Sequence, residues 1–111
     1  MTHKEFDKLL ESLREPMVKT LQEWVRIPSL KEDAAENAPF GQPLRQMLDK
    51  TLADCRALGF EVKDYDGYAG DAKMGEGSDA DALGILAHVD VVPVGDGWTR
   101  VHGHSLVGTF E

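Results

Sequence analysis

The stretch "ALGILAHVDVVPVGDGW", residues 82–98, decides how this sequence is read. Residues 82–87 are apolar without interruption, His88 follows, Asp90 stands two positions on, and Pro93, Gly95 and Gly97 then break the chain. A continuous apolar run bounded by turn residues predicts a strand buried on both faces, as in the middle of a sheet covered by helices. Side chains alternate along a strand, so His88 and Asp90 share one side at its C-terminal end while Val89 and Val91 take the other. That end is where open α/β sheets bind ligands. A neutral imidazole is a common zinc ligand, and a nearby carboxylate fixes its tautomer and orientation. The triplet alone carries little information. With four histidines and eleven aspartates in 111 residues, H-x-D arises by chance roughly 0.4 times per chain. A histidine that ends a buried strand with an ordinary hydrogen bond is the competing reading.

Upstream, the hydrophobic period is helical. Phe6, Leu9, Leu10, Leu13, Met17, Leu21, Trp24 and Val25 recur at helical intervals against Lys4, Lys8, Glu11, Glu15, Lys19 and Glu23, which predicts an amphipathic helix with Trp24 in the core. Pro16 lies inside this pattern and should kink the helix or open a second segment, and Pro28 in "RIPSL" should end it. Residues 31–42, "KEDAAENAPFGQ", read as a loop. Pro43 then opens a second helix with Leu44, Met47, Leu48, Thr51, Leu52, Cys55 and Leu58 on one face, and Gly59 is placed to end it in the left-handed conformation. Cys55 on that face reads as a small buried hydrophobe rather than a nucleophile. "FEVKDY" alternates as a half-buried strand does, and "YAGDAKMGEG" is a second, weaker strand between glycines. Two helices followed by about three strands predict an α/β class, with α+β as the neighbouring possibility, and an incomplete sheet.

Size and composition narrow the function classes. At 111 residues the chain is at most one ordinary domain. It is 41% hydrophobic and 29% charged, and no window approaches the roughly 18 consecutive apolar residues of a membrane helix, so a soluble protein is expected. "MTHKEFDKLL" lacks the apolar centre of a signal peptide, and the single cysteine excludes an internal disulfide, so the expected location is the cytoplasm. A net charge of −8 repels phosphates and argues against nucleic acid as a partner.

Context raises the H-x-D triplet above chance. "GILAHVDVVPVGDGW" resembles the first metal-binding motif of the di-zinc metallopeptidases that include carnosinase, aminoacylase and the deacylases of ornithine and diaminopimelate synthesis. More narrowly, "WVRIPSL", "PFG", "LADCRALGFEV", "YAGDAKMGEG" and the motif itself occur in the order and approximate spacing of bacterial PepV-type dipeptidases. The resemblance runs to about Arg100 and implies the N-terminal portion of a zinc-peptidase catalytic domain. It implies that His88 ligates one of two zinc ions and that Asp90 orients it, with a small peptide as substrate of the full-length enzyme. The bridging aspartate, the adjacent glutamate pair, the further carboxylate and the distant histidine of such enzymes are not found here, so at most one ligand residue is present. Residues 1–100 are thus expected to be part of a catalytic domain and residues 101–111 a divergent tail.

That tail, "VHGHSLVGTFE", has no charged residue from Val101 to Phe110, which suggests truncation with a shifted reading frame near Arg100, checkable in the downstream nucleotide sequence. His102 and His104 form an H-x-H that, with His88, could build a three-histidine zinc site, against a solvated or frayed tail. His3 reads as a surface residue, Asp96 as part of its own turn or of a substrate pocket, and Trp98 as a shield or a packing residue. Three functions remain open at this point: a zinc-dependent dipeptidase whose fragment is inactive alone, a non-catalytic truncated fragment or acidic interaction module, and a zinc-dependent N-acyl amino acid deacylase. In either fragment reading, unpaired strand edges favour self-association.

Overall fold

A computed structural model describes residues 1–96. The expectations attached to Trp98, His102, His104 and the tail lie outside the described residues. The elements are α1 (His3–Val25), α2 (Gln42–Ala57), β1 (Glu61–Tyr65), β2 (Ala69–Lys73) and a single 3-10 turn at Asp79–Asp81. Residues 1–27 belong to one unit and residues 28–96 to another.

In the first unit, α1 begins with a reciprocal cap. The Thr2 hydroxyl accepts the Glu5 N–H at 3.2 Å, and the Glu5 carboxylate accepts the Thr2 N–H at 2.7 Å, so two of the helix's orphan donors are satisfied. The signal is the T-x-x-E of residues 2–5. The helix runs through Pro16 without ending there, and it stops at Val25 with Arg26 as its cap, before Pro28. Its apolar face is only half covered. No residue of α1 is fully buried, and Trp24, expected in the core, is half-buried. An apolar stripe becomes core only where a second layer lies on it.

The second unit is built on α2. Pro43 sits in its first turn, where a missing N–H costs no intrahelical bond. At the other end Gly59 has φ +96, its N–H bonds the Arg56 carbonyl at 3.0 Å, and the Phe60 N–H bonds the Cys55 carbonyl at 3.1 Å. That pair of bonds is the Schellman ending, which needs a residue tolerant of positive φ. Leu58 caps the helix and is 72% exposed, which corrects its expected place on the buried face. Met47 and Leu52 on α2 are buried, together with Ala38 from the preceding loop.

β1 and β2 form an antiparallel hairpin in the register Glu61↔Lys73 to Tyr65↔Ala69. Asp66 and Gly67 both have positive φ, and the Tyr68 N–H closes the turn on the Tyr65 carbonyl at 3.0 Å, the geometry that an Asp-Gly pair favours. One face of the hairpin turns to α2. A β-carbon added to Gly70 would lie 2.9 Å from Leu52 and 3.1 Å from Leu48, so a glycine lets strand and helix approach. From the same face Asp64 reaches Arg45 of α2 at 2.5 Å. The opposite face carries Lys63 over the Tyr65 ring at 4.6 Å and a hydrogen bond of 2.5 Å from the Tyr65 hydroxyl to Asp71. This alternation is the period of two read from "FEVKDY".

The α/β class is therefore present as two helices and a two-stranded sheet. The third strand is not. Residues 82–91 belong to no strand, and Leu83, Ile85 and Leu86 are 90%, 88% and 100% exposed. A strand exists only as a ladder, and none of the strands among the described residues pairs with this stretch.

Candidate functional site

His88 and Asp90 sit near the end of the apolar run, and the local chain brings their side chains together. The imidazole Nδ1 lies 3.0 Å from Asp90 Oδ1 and 3.1 Å from the Asp90 backbone oxygen. Both partners are acceptors, so the contact requires the proton on Nδ1, and in the neutral ring the lone pair is then on Nε2. The pair faces solvent, with the His88 side chain 82% exposed, while Val89 between them is half-buried. The shared side expected from strand alternation is thus realised without a strand.

One residue further on, the chain is anchored. The Val91 N–H donates to the Ser29 carbonyl at 3.0 Å. Ser29 is buried at 2% exposure, and the Leu30 N–H closes a γ-turn around it on the Pro28 carbonyl at 2.7 Å. "IPSL" and "HVDVV" are therefore neighbours in space, a relation that neither stretch announces by itself.

Asp96 is exposed and follows Gly95, whose φ of +68 fits the turn expected there. Cys55 is half-buried on α2, and His3 is exposed at the start of α1. Among the described residues, no group of three or more His, Cys, Asp or Glu side chains could hold a metal ion. Among the described residues the pair is one imidazole with a carboxylate against its Nδ1. It fits one corner of a zinc site, and the remaining corners would have to come from elsewhere.

A second polar cluster was not anticipated from the sequence. Arg45, 16% exposed, bonds Asp49 through Nε at 3.0 Å and again through Nη2, which also reaches Asp64 at 2.5 Å, while Nη1 lies 3.4 Å from the Asn37 carbonyl. Asp64 in turn accepts the Gly67 N–H at 2.8 Å. The Arg45 guanidinium, and after it the Gly67 N–H, hold the Asp64 carboxyl below the usual carboxylate range, and Arg45 itself is raised by Asp49 and Asp64. This cluster joins helix, hairpin and loop, and it has the character of a structural clasp. Its only sequence signal was the i, i+4 pair Arg45 and Asp49.

No protein-family model matches the chain. Comparison with curated proteins does find relatives. The chain is 41% identical over 88 residues to "Putative dipeptidase YtjP" of Bacillus subtilis, covering 78% of this chain and 19% of that protein. It is 36% identical over 97 residues to "Beta-Ala-Xaa dipeptidase" of Lactobacillus delbrueckii subsp. lactis, covering 86% and 20%. It is 38% identical over 91 residues to a "Putative dipeptidase" of Staphylococcus aureus, covering 80% and 19%. The chain thus spans about a fifth of the length of the curated relatives it matches. No helix among the described residues is long and apolar enough to cross a membrane.

Proposed function

We propose that this chain is the N-terminal portion of a PepV-type, zinc-dependent dipeptidase, with His88 as a zinc ligand and Asp90 as its orienting partner. The observation that carries the reading is the Nδ1 contact of His88 with Asp90 at 3.0 Å on a solvent-facing pair, in a chain similar to proteins named as dipeptidases. Asp90 accepts a hydrogen bond from the Nδ1–H, holds the ring in one tautomer and raises the basicity of Nε2. His88 would hold one of two zinc ions through Nε2. When bound, the metal pair would supply Lewis acidity toward a scissile carbonyl and a water that deprotonates near neutral pH. The substrate class is a small dipeptide, and the compartment proposed is the cytoplasm.

Among the described residues no group of three or more His, Cys, Asp or Glu side chains could hold a metal ion, and the 111-residue chain is expected to show no hydrolysis by itself. The test measures cleavage of a simple dipeptide in two settings. The 111-residue product should be inactive with or without zinc. The same segment in a polypeptide that supplies the remaining ligands should turn over with zinc, and His88→Ala should abolish that turnover. Zinc-dependent cleavage by the short product, or an unaffected His88→Ala in the longer one, overturns the proposal.

A second reading is favoured by the exposure of Leu83, Ile85 and Leu86: a non-catalytic, acidic piece that self-associates through this unpaired segment. Concentration-dependent sedimentation without zinc binding supports it. The deacylase alternative shares the His88 and Asp90 chemistry, and hydrolysis of an N-acyl amino acid in preference to a dipeptide would select it.

A further inference from the structure

We propose that Ser29 is a positioning residue for His88 and acts through the peptide group that joins Asp90 to Val91. This inference rests on the reading of His88 as a donor through Nε2, and it adds the element that sets the ring's orientation.

The geometry is that of one planar unit gripped on both edges. The Asp90–Val91 peptide group is trans, so its N–H and C=O point in opposite directions. Its N–H donates to the Ser29 carbonyl at 3.0 Å. Its carbonyl oxygen lies 3.1 Å from His88 Nδ1. Rotation of this peptide plane therefore breaks a bond on each side. The Nδ1 proton is shared between that backbone oxygen and Asp90 Oδ1 at 3.0 Å, so the backbone contact supplements the carboxylate.

The Ser29 end is the firm one. The residue is buried at 2% exposure, the ring of Pro28 fixes the backbone before it, and the γ-turn from Leu30 to Pro28 closes around it. The His88 end is exposed and belongs to no strand, so no sheet ladder holds it. Without the Ser29 anchor the 90–91 peptide would rotate among solvated conformers, and the imidazole would keep the carboxylate alone as its guide. The "IPSL" turn thus takes over, for this pair, the orienting role that a neighbouring strand would otherwise play.

The test uses the full 111-residue chain with 15N-labelled histidine, observed by NMR at about pH 9, above the ordinary imidazole range. In the unmutated chain His88 should carry its proton on Nδ1. Val91→Pro removes the donor to Ser29 and should move the ring toward the Nε2–H tautomer that free imidazoles prefer. Val91→Ala keeps the donor and should keep the Nδ1–H form. Retention of that form in Val91→Pro, or its equal loss in Val91→Ala, overturns the proposal. If Val91→Pro fails to fold, amide exchange in the unmutated chain decides. Val91 N–H should exchange at least about tenfold more slowly than in an unstructured peptide, and an unprotected amide overturns the anchor. These readings contain no metal, so their failure is distinct from failure of the zinc assignment, which His88→Ala tests in the longer polypeptide.

Discussion

Arg45 on α2 and Asp64 on β1 are nineteen residues apart in sequence and meet at 2.5 Å, beneath a turn whose Gly67 N–H binds the same carboxylate at 2.8 Å. One guanidinium thereby ties the helix to the hairpin and, through the Asn37 carbonyl, to the loop that precedes the helix. The fork geometry matters, because a lysine in its place would supply one point charge where three acceptors converge. Arg45→Met should lower stability by roughly 1 kcal/mol, or a melting temperature by about 4–8 °C in a unit of this size. Far-UV circular dichroism on heating checks it, and an unchanged melting curve would remove Arg45 from the list of fold determinants.

The same contact predicts an acid dependence. Arg45 first, and Gly67 second, lower the Asp64 carboxyl in the folded chain relative to its ordinary value. A depressed folded-state value means that the stabilisation is fully present above the unfolded carboxylate range, about pH 4, and is lost as pH falls through the folded value. The difference in stability between the parent and Asp64→Asn should therefore be constant at neutral pH and shrink below about pH 4. Denaturant midpoints measured from pH 7 to pH 2 read this directly. A difference that grows on acidification contradicts the assignment.

The buried set is small, so each member carries weight. Met47 is 2% exposed and Leu52 8%, and with Ala38 they are the buried hydrophobic residues among those described. Met47→Ala should cost about 2 kcal/mol or more, since it removes buried methylenes and leaves a cavity that α2 cannot close by itself. Leu58→Ala, at an exposed helix cap, should change the urea midpoint little. Equal effects from the two substitutions would mean that the core lies elsewhere.

Local chemistry made much of the fold legible in the sequence. Pro43 and Gly59 bracket α2 because one lacks an N–H where none is needed and the other tolerates positive φ where the helix must stop. The hairpin follows from the alternation of "FEVKDY", and its turn was readable in Asp66-Gly67, a signal the period alone did not use. Three features were hidden for physical reasons. The clasp of Arg45 with Asp64 depends on a long-range approach that no local pattern encodes. Leu58 continued the apolar period but fell on the cap, where the helix axis no longer turns it inward. The apolar run before His88 has the composition of a central strand, yet a strand requires a partner, and the described residues provide none. At the site, His88 and Asp90 meet without the strand from which their shared side was expected, and the bond from Val91 to Ser29 joins two stretches that no local pattern links.

Asp90 offers a test of the site in the longer polypeptide. Its carboxylate lies 3.0 Å from Nδ1 of His88, and in the proposed site the ion would be held by the ring's Nε2. Asp90→Asn keeps the shape but replaces a charged acceptor with a neutral amide, and loss of such a partner costs about 10–100-fold in metal affinity or activity. Zinc should still bind, more weakly, and turnover should fall within that range. Complete loss of zinc binding would make Asp90 a direct ligand instead.

Chelation separates a site that uses metal from one that is built by it. Small domains folded around structural zinc unfold when the ion is removed, because the binding energy is their folding energy. Here the buried hydrophobic residues Ala38, Met47 and Leu52, the hairpin and the Arg45 clasp join α2 to its neighbours, and none of these contacts passes through His88, whose side chain is 82% exposed. Treatment of the 111-residue chain with excess chelator should therefore leave its far-UV spectrum and melting temperature unchanged. Added zinc should raise the melting temperature little, since one imidazole and its carboxylate hold the ion too weakly for a large mass-action effect. Collapse of the helical signal on chelation would show that His88 belongs to a complete metal centre and that the donor set extends further than the pair at residues 88 and 90.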